Sequence, residues 1–100
     1  MGWTISHGGT RHGYSYTDVA ELLDLVKQQV GLRQRLKLRL IIDRRSGDPF
    51  SVPPAEAKAV GDIFLKAAER LPARQRDMAL QIGHSALRAA SSGNEPWVWS

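Results

Sequence analysis

Two stretches of this chain carry residue types that do chemistry. The first is Ser6–Gly13, SHGGTRHG, with three glycines, two histidines and an arginine in eight residues. A glycine-rich loop between a strand and a helix can hold an anion on backbone N–H groups. His7, Arg11 and His12 would add donors beside Gly8 and Gly9, which makes these five residues a candidate anion-binding set. The spacing matches neither GxGxxG nor GxxxxGK(S/T). His-Gly-Gly also occurs in hydrolase oxyanion-hole segments, but the GxSxG elbow that such a segment serves is missing. The plainer reading, a flexible turn with exposed histidines, is preferred.

The second stretch is Arg33–Asp43, RQRLKLRLIID. Leu36, Leu38, Leu40 and Ile42 fall on one parity, and Arg33, Arg35, Lys37 and Arg39 on the other. Side chains of a strand alternate between faces. Read as a strand, Leu36–Asp43 has one apolar and one cationic face, and it takes the central place in the sheet. The rival is a helix, because Leu32, Leu36 and Leu40 also recur four apart. Gly31 and the clean alternation favour the strand. With Arg44 and Arg45, the cations Arg33, Arg35, Lys37 and Arg39 form a candidate nucleic-acid site, since phosphate neutralisation needs clustered cations on one surface. Trp97 and Trp99 would offer stacking platforms beside it. The alternative is a solvated face kept charged against edge pairing.

Other chemistries are poorly supplied. There is no cysteine, so disulfides and thiolate–metal sites are excluded. His7, His12 and His84 show no metal-ligand spacing, and no HExxH is present. Asp43 and Asp48 bracket a turn, where aspartate is common for structural reasons. No catalytic residue, metal or cofactor is expected, and an enzyme ranks below a binding protein.

The elements that would position these residues follow from periodicity. Trp3–Ser6 reads as a short strand and Ser6–Tyr14 as a loop. Ser15 is an N-cap with Asp18 three residues on, and Val19, Leu22, Leu23, Val26 and Val30 form the apolar stripe of a helix over 17–30, closed by Gly31. Arg44–Pro49 is a turn, and Phe50–Val52 a returning strand paired with Leu40–Ile42. Pro53 and Pro54 open a second helix, with Ala57, Val60, Ile63, Phe64, Ala67 and Leu71 on its buried side. Pro72 ends it. A third helix spans about 73–90, buried through Met78, Ile82, Ala86 and Ala89. The small residues Gly61, Ala68, Gly83 and Ala86 allow close helix packing. Ser91–Glu95 is a loop. Pro96–Ser100, PWVWS, is a last strand expected to lie close to Trp3–Ser6.

The expected fold is therefore α/β in the two-layer α+β sense: a 3–4-stranded sheet with about three helices on one face, in a single domain over 1–100. One hundred residues with a charge of +4 fit a basic globular domain. No leader peptide and no apolar run near the roughly 20 residues of a membrane span is present, which points to the cytoplasm. Two tryptophans close to the C-terminus are costly to expose, so Trp97, Trp99 and Trp3 are candidate interface residues. The leading expectation is a small non-enzymatic interaction or regulatory module that self-associates, a homodimer pairing through an edge strand. A nucleic-acid-binding protein using the basic strand Arg33–Arg45 is the alternative.

Three pieces, Met1–Gly8 (MGWTISHG), Phe50–Glu56 (FSVPPAE) and Pro96–Ser100 (PWVWS), resemble an uncharacterised family of small proteins from Streptomyces-like actinobacteria and their mobile elements. The resemblance covers about a fifth of the chain. It implies a compact single domain of unknown function, in the role of a mobile-element or regulatory accessory protein, and assigns no site residues.

Overall fold

The computed structural model describes residues 2–7, 10–41, 49–92 and 96–100. It is an α+β fold with the order β1 (Gly2–His7), β2 (Thr10–Ser15), α1 (Tyr16–Gln28), α2 (Leu32–Ile41), β3 (Phe50–Val52), α3 (Pro54–Ala68), α4 (Ala73–Ser92) and β4 (Trp97–Trp99). The strands form one antiparallel sheet in the order β2-β1-β4-β3. The two ends of the chain meet as expected: Ile5 pairs with Trp99 and Ser6 with Val98. Thr4 and Ser100 exchange backbone hydrogen bonds of 2.7 and 2.9 Å beside them.

Two expected elements are different. The segment expected as a loop over Ser6–Tyr14 contains β2, which pairs with β1 from Gly2↔Ser15 to His7↔Thr10. Two glycines between two β-capable runs are a known hairpin pattern, and Gly8-Gly9 separates these two strands in sequence. The larger correction concerns the basic segment. Leu32–Ile41 is a helix, so no cationic strand exists there, and β3 pairs with β4 instead of Leu40–Ile42. Residues 32–40 are Leu, Arg, Gln and Lys only, all good helix formers, with no β-branched or aromatic residue among them. Local propensity outweighed the alternation. α1 ends at Gln28 with Gln29 as its C-cap, short of the expected terminator Gly31, and a second helix follows at Leu32. The described residues thus hold four helices where about three were expected.

The layering also departs from a simple two-layer plan. α4 and α1 pack on the sheet, while α3 packs chiefly on α4, with smaller contacts to α2 and α1. α3 and α4 approach closely at Gly61 and Gly83. A Cβ built on Gly83 would lie 2.8 Å from two carbons of Leu65, and one on Gly61 would lie 3.0 Å from the Gly83 carbonyl oxygen. The core holds Leu22, Val26, Val60, Phe64, Ile82 and the sheet residues Ile5 and Val52.

The tryptophans belong to this core. Trp3, Trp97 and Trp99 are 6%, 0% and 0% exposed. Trp99 meets Trp3 and Trp97 edge-on, with ring centroids at 5.7 and 5.4 Å, and stacks on Phe50 at 5.6 Å. Such pairs add to area burial. The indole Nε1 of Trp97 donates to Ser85 Oγ at 3.1 Å within the core. The indole Nε1 of Trp99 is buried with no hydrogen-bond partner among the described residues.

Candidate functional site

α2 has an unusual surface. It carries Arg33, Arg35, Lys37 and Arg39, and no acid. A helix advances about 100° per residue, so residues two apart lie on nearly opposite sides. Arg33 and Lys37 therefore share one flank, and Arg35 and Arg39 the other. The cations that a strand would have gathered on one face are divided by the helix. Leu32 and Leu36 lie between the two flanks, one turn apart. They are 67% and 48% exposed, two of the three large exposed apolar residues in the described chain. Leu38, on the opposite side, is fully buried and anchors α2 to the rest of the protein.

Next to α2 runs a groove of about 590 Å³. One wall is the α1–α2 junction at Gln29–Gly31, continued by Gln34 and Lys37 of α2; the other is the face of α3 from Ala55 to Lys66, with Glu69 and Arg70 just beyond the helix. Val30, Ala55, Ala59 and Ile63 give it an apolar floor. Lys37, Lys58, Lys66 and Arg70 stand along it against Asp62 and Glu69. Lys58 and Asp62 pair at 3.3 Å on the surface. Ala55, Lys58, Ala59, Asp62, Ile63 and Lys66 share one face of α3, about 16 Å long at 1.5 Å per residue, and Arg70 stands in the turn after the helix.

The other candidate sets are dispersed. His7 ends β1, and Arg11 and His12 are in β2, so they belong to a hairpin and not to a loop ahead of a helix. Gly8, Gly9, Arg44 and Arg45 lie outside the described residues. The His12 ring stacks against Tyr14 at 6.4 Å. The Tyr14 hydroxyl donates to Gln81 Oε1 of α4 at 2.6 Å, and burial pushes its pKa up from 10.0 to about 12. At the other end of the same contact, Asp18 N–H donates to Ser15 Oγ at 3.0 Å, and the Asp18 carboxylate receives Arg74 of α4 at 3.3 Å. These bonds fix α1 and β2 to α4; they are structural. Among the described residues no group of three His, Asp or Glu could hold a metal ion. No described helix is long and apolar enough to cross a membrane.

Sequence reasoning found the α2 cations but missed Leu32 and Leu36 as surface residues and missed the α3 groove. The four-residue spacing of Leu32 and Leu36 was the available clue, and the strand reading set it aside. The groove face of α3 was legible as the polar complement of its buried stripe, without any indication that α2 would stand beside it.

The chain belongs to the family of the domain of unknown function DUF7739, whose model matches residues 8–100. No curated protein and no solved structure matches it.

Proposed function

We propose that this domain is a small non-enzymatic interaction module that binds an acidic protein partner through α2. One observation carries the reading: Leu32 and Leu36 are exposed one turn apart on a helix that carries Arg33 and Lys37 on one flank, Arg35 and Arg39 on the other, and no acid. An apolar pair at helical spacing is the anchor pattern of helix-mediated recognition. A cationic border selects for acidic partners and speeds their association. The charge of +4 acts in the same direction. Trp3, Trp97 and Trp99 are in the core, so the proposal rests on α2 and not on them.

A nucleic acid is the second reading, favoured by four cations and no acid on ten residues. It leaves the leucines without a role, because phosphates gain nothing from them. A titration with short fluorescent DNA and RNA at low and physiological salt separates the two. If all four cations met phosphates, the log–log salt slope would be about −3.6, and each Gln substitution would reduce it by about 0.9. The proposal expects binding at low salt only, unaffected by Leu32→Gln with Leu36→Gln. Micromolar binding that persists at physiological salt and is lost in the Arg35→Gln, Lys37→Gln, Arg39→Gln triple variant would establish the nucleic-acid reading instead.

A further inference from the structure

We infer that the groove between α2 and α3 is the docking site for an acidic amphipathic helix of the partner protein. This rests on the proposed interaction function and names the chemistry of its partner. The shape is the first argument. The groove follows α3 for about three turns and continues to Arg70 in the turn after it, which suits an elongated segment better than a compact small molecule. Its floor, through Val30, Ala59 and Ile63, is apolar, so one face of the occupant must be apolar.

The charge is the second argument. Four cations face two acids along the groove, and Asp62 is already paired with Lys58. Lys66, Arg70 and Lys37 thus give the rim a net positive character, which is complementary to a segment with acids flanking its apolar stripe. Lys37 also belongs to the exposed flank of α2, so groove and leucine face form one continuous cationic surface. Symmetric pairing of two copies through this groove would oppose one cationic rim to another. A heterologous pairing with the exposed Glu21 and Asp24 of α1 in a second copy remains as a distinct outcome to be read by mass.

The test uses the full chain as bait for a displayed library of random 16-residue peptides. The expected result is enrichment of peptides with net negative charge and apolar residues three and four apart. Their affinity should fall at least about tenfold in Ala59→Glu, which fills and charges the floor, and in Lys66→Glu, which reverses the rim. Lys66→Arg should retain binding, and circular dichroism should show all variants folded; both positions lie on the solvent side of α3 or are half-exposed. Acidic peptides that lose binding only in the Leu32→Gln, Leu36→Gln variant would overturn the groove assignment and leave the interaction function standing. Enrichment of neutral or basic peptides, or no enrichment, overturns it too. No acidic peptide together with polynucleotide binding at physiological salt would overturn the function as well. A dimer by light scattering that dissolves in Lys66→Glu would assign the groove to a second copy instead.

Discussion

Replacing Ser85 by Ala should destabilise this protein through a group on another element. Ser85 is the one buried polar side chain among the described residues, at 0% exposure, and its Oγ accepts the Trp97 indole N–H at 3.1 Å. Within α4 the substitution gains helix propensity, about 0.5 kcal/mol. It also leaves the N–H of a fully buried tryptophan without an acceptor, which costs about 1–3 kcal/mol. The second effect is larger, so a net loss of about 1–2 kcal/mol is expected, or a fall in Tm of roughly 5–12 °C for a domain of this size. Urea unfolding followed by tryptophan fluorescence and circular dichroism measures it, with an unchanged m-value showing that stability alone has moved. The double-mutant cycle with Trp97→Phe isolates the cause. Once the N–H is gone, Ser85→Ala should be neutral or slightly stabilising, giving a coupling of about 2 kcal/mol. The Trp97 indole N–H resonance should shift more than that of Trp99, whose Nε1 makes no hydrogen bond among the described residues. Equal effects of Ser85→Ala in the two backgrounds, with the Trp97 indole resonance unmoved, would refute the reasoning.

Three further outcomes follow from packing and burial. Gly83→Ala gains about 1 kcal/mol of helix propensity but forces Leu65 carbons away from 2.8 Å, an overpacking of about 1–3 kcal/mol, so thermal unfolding should show a net loss, and a rise in Tm would contradict the close α3–α4 approach. Leu38→Ala should cost about 2–5 kcal/mol and Leu36→Ala under about 1, measured by urea unfolding; equal costs would restore a strand, in which both leucines share a face. Burial keeps the Tyr14 phenol neutral to about pH 12 against 10.0 unfolded, so its contribution is complete below pH 10 and is lost as pH rises toward 12; urea midpoints across that window should fall more steeply for wild type than for Tyr14→Phe, and parallel curves would count against the buried hydroxyl.

Much of the framework was legible because apolar spacing decides it. Val19, Leu22, Leu23 and Val26 of α1 are buried at the positions their period required, as are Ala57, Val60, Ile63, Phe64, Ala67 and Leu71 along α3 and the residue that follows its turn. Ser15 caps α1 through Asp18, and Pro53 and Pro54 open α3 with an extended residue before the first turn. The pairing of the chain ends was legible from two β-prone segments at opposite ends of the chain, although the nearer partner of β1, the β2 strand, was read as a loop. The tryptophans were ambiguous for a physical reason. A large aromatic residue serves a core and an interface equally well, and only the placement of α4, with Ser85 under Trp97, makes them core.

α2 was misread because its sequence satisfies two periods at once. Leucines at every second position alternate as a strand requires, and the same set contains pairs four apart as a helix requires. Burial could not arbitrate from sequence, because the helix buries Leu38 and leaves Leu32 and Leu36 in solvent. A helix positioned by packing alone would turn its leucines inward. One that keeps two of them outward between cations gives up apolar burial worth roughly 1.5–3 kcal/mol for each fully buried side chain. Local sequence and fold are thus in conflict at one place, and such conflict is expected where function constrains the residues. The ambiguity that defeated the sequence reading and the exposure that supports the binding proposal are the same property of Leu32 and Leu36.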